Sequence, residues 1–183
     1  MKEKLLLHGC CAPCSTHPVT LLREKFDVTL FFYNPNIHPD DEYYLRVAEM
    51  KKLSSEWQIP LIIGRYDTAA WFKAVSGHED DPEGGPRCAI CFRLRLDGTA
   101  RQAQAENFGW FATTLSVSPH KNADVINRIG RETAGQYGIR FYEANFKKRD
   151  GFRTSCEMSE EFGFYRQNYC GCVYSRRVDQ ENK

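Results

Sequence analysis

The sequence predicts an α/β protein: a parallel sheet with helices on both faces. Three observations lead there. Short β-rich apolar runs alternate with longer amphipathic stretches, the pattern of βαβ units. The run Val28–Tyr33 (V-T-L-F-F-Y) is apolar almost throughout, as in a strand buried on both sides. The chain's 183 residues, 42% hydrophobic and 13% aromatic, suffice for a real core and argue against disorder.

In order, Leu5–His8 reads as a first strand and Thr16–Lys25 as a helix. After the Val28–Tyr33 strand, Asp40–Trp57 is a helix, with Tyr44, Val47, Leu53 and Trp57 close to helical spacing. Pro60–Gly64 is the next strand and Thr68–Val75 a short helix. Ser76–Arg87, with four acids, two prolines and three glycines, is a loop. Cys88–Asn107 is a long helix, Trp110–Thr114 a strand, Asn122–Tyr137 a helix and Arg140–Tyr142 a short strand. From about Phe146 the alternation breaks, and that segment is expected to fold over the sheet edge. At about 150 residues per domain this makes one domain, over residues 1–177, with a polar, frayed tail at 178–183.

In parallel sheets ligands sit beyond the carboxyl ends of the strands. Three polar segments follow strands here and should crowd one edge: His8-Gly9-Cys10-Cys11, Tyr33 to Pro39, and Ser116 to Lys121. A net charge of +1 excludes a broadly basic nucleic-acid coating surface but not a local patch. The apolar run at the start stops after three leucines, short of a signal peptide's roughly 7–15 residues or a membrane span's ~18. The expectation is a cytoplasmic protein with no membrane partner, in which clustered thiols stay reduced and mean metal or catalysis.

Seven of the eight cysteines form three groups: Cys10-Cys11-Ala12-Pro13-Cys14, Cys88-Ala89-Ile90-Cys91 and Cys170-Gly171-Cys172. Cys156 stands alone and reads as a buried thiol. The first two groups sit at helix starts, where free N–H groups and the helix dipole favour thiolates. Facing each other, they could supply four ligands. Three uses compete. An iron–sulfur cluster takes four cysteines from separate segments. Zinc takes paired CxxC motifs. A thioredoxin-like dithiol would use Cys11 and Cys14 alone. A phosphate cradle is disfavoured, because the loop after the first strand holds Gly9 and three cysteines but no P-loop lysine.

Five motifs occur in order: His8-Gly9-Cys10-Cys11-Ala12-Pro13-Cys14, Tyr33-Asn34-Pro35-Asn36-Ile37-His38-Pro39, Glu83-Gly84-Gly85-Pro86-Arg87-Cys88 through Cys91-Phe92, Phe146-Lys147-Lys148, and Tyr169-Cys170-Gly171-Cys172-Val173-Tyr174-Ser175. Together they resemble the epoxyqueuosine reductase family of the QueH type, from about Leu5 to Arg177. The resemblance implies an adenine-nucleotide α-hydrolase-like (Rossmann-like) fold whose C-terminal segment covers a metal site. It implies cobalamin-independent removal of the epoxide oxygen from epoxyqueuosine at the wobble position of tRNA, the last step of queuosine synthesis, with an external electron donor. It also implies a four-iron four-sulfur cluster on Cys10, Cys11, Cys88 and Cys91, and a redox-active pair in Cys170 and Cys172. An additional mononuclear iron or zinc ion fits beside the cluster, with Cys14 as its thiolate. The alternatives are a thiol–disulfide oxidoreductase using Cys11 and Cys14, and a zinc-stabilised RNA-binding module without catalysis.

The Cys170–Cys172 spacing would close a small, strained and easily reduced disulfide ring, although both thiols could instead bind metal. Candidate substrate contacts are His8, Asn34, Asn36, His38 and Ser118, each with a packing or turn role as the plainer reading. Between Arg140 and Arg177 eight Lys/Arg face five Asp/Glu, interleaved with Phe146, Phe152, Phe164, Tyr165 and Tyr169. That pattern suits phosphates and unpaired bases, with Lys147 and Lys148 as phosphate contacts, or a solvated helix over an aromatic core.

Overall fold

The computed structural model describes residues 1–175; the expected tail at 178–183, the boundary at 177 and the two arginines at 176 and 177 lie outside the described residues. Strands β1 (Glu3–His8), β2 (Phe26–Phe32), β3 (Leu61–Ile63), β4 (Trp110–Thr113) and β5 (Arg140–Phe141) form one sheet in the order β3-β2-β1-β4-β5. Every pairing is parallel. Helices α1 (Ala12–Leu22), α2 (Asp40–Trp57), α3 (Thr68–Val75), α4 (Pro86–Ala105), α5 (Ala123–Tyr137) and α6 (Gly151–Glu161) surround it.

Alternation along β1 builds two cores. Leu5 and Leu7 join Val19, Leu22, Met50 and Leu53 of α1 and α2 on one face. Leu6 joins Phe92, Leu96 and Ile126 of α4 and α5 on the other. At about 25 cal/mol per Å² of apolar surface, a fully buried leucine is worth about 2 kcal/mol, so neither face of β1 tolerates a polar residue. Residues on both faces must be apolar, which is why the strand reads as a run of leucines.

Because β1 lies between β2 and β4, the chain leaves it in one direction and returns on the other side. That is the switch point where parallel sheets open a crevice. His8 is level with Phe31 on β2 and Thr113 on β4, so the three polar segments emerge side by side as expected. Among the described residues no helix is long and apolar enough to cross a membrane.

Local chemistry moved several boundaries. The first helix starts at Ala12 instead of Thr16: Cys11 is its extended N-cap, and Pro13 is pre-organised for a first turn. Likewise α4 starts at Pro86 after Gly85, placing Cys88 inside the first turn. Thr114 leaves the strand for a 3-10 turn, Thr114–Val117. The segment after Phe146 contains α6, which packs on α1; its glycine start and polar composition hid it.

Candidate functional site

Three cysteine groups converge at the carboxyl edge of the sheet. The sulfurs of Cys10, Cys11 and Cys14 all lie within 4.8 Å of one another, among the described residues the group of three or more metal-ligating side chains that is this compact. The β1–α1 turn makes this possible. Extended Cys11 ends the strand crossover, and the first turn of α1 brings Cys14 back over Cys10. Thr114, after β4, holds the turn from the other side, its hydroxyl 3.4 Å from Cys10 N and 3.8 Å from Cys10 Sγ. Cys88 and Cys91, on the first turns of α4, border a small chamber with Cys170 and Cys172. Cys10, Cys14 and Cys170 line an open cleft beside it, and Cys170, Lys121, His120 and Glu83 border both spaces.

The C-terminal segment covers this edge because it is tied down at several points. Gln167 Nε2 donates to Cys11 Sγ at 2.9 Å. Arg46 of α2 donates to the carbonyls of Tyr169 and Cys170 at 3.2 and 3.1 Å, and its guanidinium lies over the Tyr169 ring. Tyr169 Oη donates to His38 O at 2.5 Å, and His38 N donates to Gly171 O at 2.8 Å. Gly171 has φ +105°, a left-handed conformation that favours glycine and lets the backbone pass closely over Ile37.

The electrostatics are unusual for a protein interior. Arg95 is 3% exposed and donates to Asn34 Oδ1 at 2.5 Å, and among the described residues its buried Nε has no acceptor. Lys121 is half-buried beside the thiols. Among the described residues neither cation has a carboxylate within salt-bridge distance, and a buried charge without a counter-charge costs several kcal/mol. The compensating charge is thiolate. Cys10 is held well below the ordinary thiol range, first by hydrogen bonds from Cys11 and Cys14 and then by Lys121 and Arg95. Cys170 is lowered by Cys172 and Lys121, against the pull of burial. The hydrogen-bonding neighbours shift oppositely: Cys11 is pushed up to about 12, and Cys14 and Cys172 are raised. Cys88 is raised by burial and by the nearby Cys170 and Cys91. For Lys121, burial lowers the pKa, but the thiolates of Cys170 and Cys10 outweigh it, so the pKa is raised. Convergent thiols, cationic neighbours and buried N–H groups without acceptors fit a bound anionic metal–sulfur group.

The remaining candidates divide. Asn36 is buried and borders the chamber with Oδ1 unpartnered, and Ser118 lines the cleft. Asn34 is occupied by Gly9 O and Arg95. His38 packs between Trp71 and Phe72 with Nδ1 on Asn36 O. Lys147 donates to Lys121 O at 2.6 Å, while Lys148 is exposed. Of the aromatics, Phe146 and Phe164 are core, whereas Phe152 and Tyr169 line the cleft. Arg153 and Arg166 pair with Glu157 and Glu160. Cys156 is not buried as expected. It is half-buried on the cleft wall and accepts from Arg166 at 3.1 Å. Sequence reasoning passed over Arg46, Arg95 and Lys121. The signal was there for two of them: Arg46 and Arg95 fall on the apolar stripes of their helices, beside Tyr43, Val47 and Met50, and beside Cys91, Phe92 and Leu96.

His8 is sealed in the sheet, not facing a substrate. It is fully buried, with Nδ1 at 2.9 Å from Thr113 Oγ1 and Nε2 at 3.1 Å from Tyr33 O. Burial, then the Arg95 charge, lowers its pKa to about 3. Between its ordinary value near 6.5 and about 3, the unfolded chain binds a proton that the folded chain refuses. Stability therefore falls as the pH falls through this window, and going from pH 7 to 5 costs about 2 kcal/mol at this one group. Denaturant melts of the wild type and His8→Asn, whose amide can still bond Thr113, should show that the variant loses less on acidification by about this amount. Equal acid losses would place a charged, solvated imidazole there.

Comparison with known proteins agrees with this geometry. The sequence profile of the family "Epoxyqueuosine reductase QueH" matches residues 5–178. Epoxyqueuosine reductase QueH of Streptococcus pyogenes is 40% identical over 184 residues, covering 97% of this chain and 72% of that protein. The proteins of the same name from Acinetobacter baylyi and Thermotoga maritima are 43% and 38% identical, over 96% and 93% of this chain and 81% and 89% of theirs. Among solved structures, the U34-tRNA thiolase NcsA of Methanococcus maripaludis, described with its [4Fe-4S] cluster, superposes with a TM-score of 0.57 at 16% identity. It covers 96% of this chain, which spans 62% of the thiolase. A predicted subunit of tRNA methyltransferase from Methanocaldococcus jannaschii gives 0.56 at 13% identity, over 85% of this chain and 76% of that one. At these identities the structures speak for the fold alone, the expected parallel sheet with helices on both faces. The match over nearly the whole length at up to 43% identity shows that the chain belongs to the QueH family of epoxyqueuosine reductases.

Proposed function

We propose that this protein reduces epoxyqueuosine in the anticodon of tRNA to queuosine, in the cytoplasm, with a four-iron four-sulfur cluster as its electron conduit. The observation that carries the reading is the convergence of seven thiols at the open edge of the sheet, beside cations that form no salt bridge among the described residues. Cys10, Cys11, Cys88 and Cys91 are assigned to the cluster, Cys14 to an additional iron or zinc ion, and Cys170 with Cys172 to a redox pair. The similarly folded thiolase is described with a [4Fe-4S] cluster, which supports a cluster on this fold. A thiol exchanging with protein disulfides needs an accessible attacking sulfur, and Cys11 is 1% exposed.

When bound, the cluster supplies single electrons at low potential. The net change is two electrons and two protons in, both carbon–oxygen bonds of the epoxide broken, an alkene formed and the oxygen released as water. The chain's residues prepare for it. The cleft lined by Cys10, Cys14 and Cys170 is the space assigned to the reacting base. Lys121 Nζ holds a proton beside the thiolates, and Ser118 offers a hydroxyl on the same wall. Phe152, Tyr169 and Arg166 at the mouth suit a base and a phosphate of the anticodon loop.

Anaerobic reconstitution should yield acid-labile sulfide matched by cluster iron, with the additional iron or zinc ion in excess of it, and turnover of epoxyqueuosine tRNA. Zinc alone without sulfide would overturn the reading. A Cys170→Ser variant should keep its cluster yet lose turnover with a protein reductant; full turnover would remove the redox-pair role.

A further inference from the structure

A second large groove lies on the far side of α4 and shares no lining residue with the cleft or the chamber. We infer that this groove is the docking surface of the electron donor, a small acidic protein carrying a low-potential one-electron centre. The inference rests on the reductase reading, which requires two electrons from outside the chain.

Charge is the first argument. Arg65 after β3, Arg93 and Arg101 on α4, and Arg128 on α5 line the groove, against Asp67 and Asp97. Arg93 and Arg128 share Glu132, and Asp97 accepts the Tyr137 hydroxyl. Arg65 is 86% exposed with Asp67 at 3.6 Å, and Arg101, also exposed, forms no ion pair among the described residues. Four cations from three chain segments therefore face outward with fewer carboxylates between them, a surface that attracts an acidic partner and speeds encounter.

Position is the second argument. Cys88 and Cys91 point from the first turns of α4 into the chamber, while Ala89, Ile90 and Arg93 of the same turns line the groove. Ile90 also packs against the cluster formed by Trp71, Cys91 and Cys172. A single layer of side chains thus separates the groove floor from the thiols. A carrier seated there reaches the metal centre while the tRNA occupies the cleft. In each encounter the carrier loses one electron and the centre gains one; two encounters, with two protons, complete one epoxide.

An RNA backbone fits less well. Carboxylates of Asp67 and Asp97, with apolar Ala70, Leu94 and Ile129 between the arginines, suit a protein surface and not a row of phosphates. The reacting base must also approach through the cleft.

The test uses the reconstituted holoenzyme and reduced flavodoxin, an acidic one-electron carrier, in anaerobic stopped flow. Arg65→Glu/Arg101→Glu should slow second-order cluster reduction by flavodoxin at low salt about tenfold or more and flatten its salt dependence. The Arg65→Gln/Arg101→Gln variant should fall between. Reduction by dithionite, turnover with dithionite and tRNA affinity should match the wild type. Flavodoxin rates unchanged by charge reversal, or a wild-type rate indifferent to salt, overturn the inference while the reductase reading stands. Loss of tRNA affinity in place of flavodoxin reactivity overturns it in favour of an RNA surface. Wild-type holoenzyme that dithionite neither reduces nor turns over fails the reductase reading, and the inference with it.

Discussion

A Cys10→Ser variant is expected to lose its iron and its turnover together. Cys10 is 7% exposed, shares the compact thiol group with Cys11 and Cys14, and has its backbone and sulfur held by Thr114. Serine keeps the size and the hydrogen bond but replaces a thiolate, held ionised by its surroundings, with a neutral alcohol. It also leaves Lys121 and Arg95 without one of the charges that balance them. Loss should exceed the roughly 10–100-fold that removal of an outer partner costs a metal site. Thr114→Val supplies that comparison: it removes the hydroxyl beside Cys10 while leaving every thiol, and should sit in the lower range. Cys156→Ser, on the cleft wall but 3.1 Å from Arg166 and outside the compact group, should retain iron and most turnover. Iron and acid-labile sulfide per chain after anaerobic reconstitution, read beside turnover, separate the three. Full iron in Cys10→Ser would remove it from the ligand set.

Much of this site was legible because parallel α/β folds couple sequence order to place. Once β1, β2 and β4 were recognised as strands, the segments after them had to meet at one edge, and His8, Phe31 and Thr113 are level there. The cysteine spacings at helix starts carried over for the same reason. What stayed hidden depends on tertiary packing. The chain's end carries no β-rich run, so the folding of 164–172 over the thiols is set by contacts with Arg46, His38 and Cys11 far away in sequence. His8 looked chemically suggestive beside the cysteines, yet a strand residue paired on both sides is buried on both faces. Lys121 could not be ranked above 24 other Lys/Arg by composition or spacing; its meaning comes from thiols of two segments far apart in sequence, Cys10 with Cys14 and Cys170.

Arg46 makes the strongest claim about stability, because it ties α2 to two backbone carbonyls of the cover over the thiols with a charged, buried group. Its side chain is 1% exposed and divides its donors between Glu42 Oε1 at 2.6 Å and the carbonyls of Tyr169 and Cys170. Glu42 is itself needed by the cover, accepting from Tyr165 Oη at 3.0 Å. Arg46→Met keeps much of the aliphatic volume but strands a largely buried carboxylate and leaves two carbonyls without donors. Removing one partner of a buried pair costs about 3–5 kcal/mol, and the lower end applies here because Glu42 keeps the Tyr165 hydroxyl. Lysine restores the charge but cannot serve three acceptors in a planar fork, so Arg46→Lys should recover only part of the loss. Denaturant melts measure the stability, and alkylation of Cys170 and Cys172 followed by mass spectrometry reports whether the cover has loosened. In the methionine variant both thiols should react faster than in the wild type under conditions where the chain remains folded, with the lysine variant between. Unchanged alkylation alongside lowered stability would make Arg46 a core residue of α2 with no hold on the cysteines it spans.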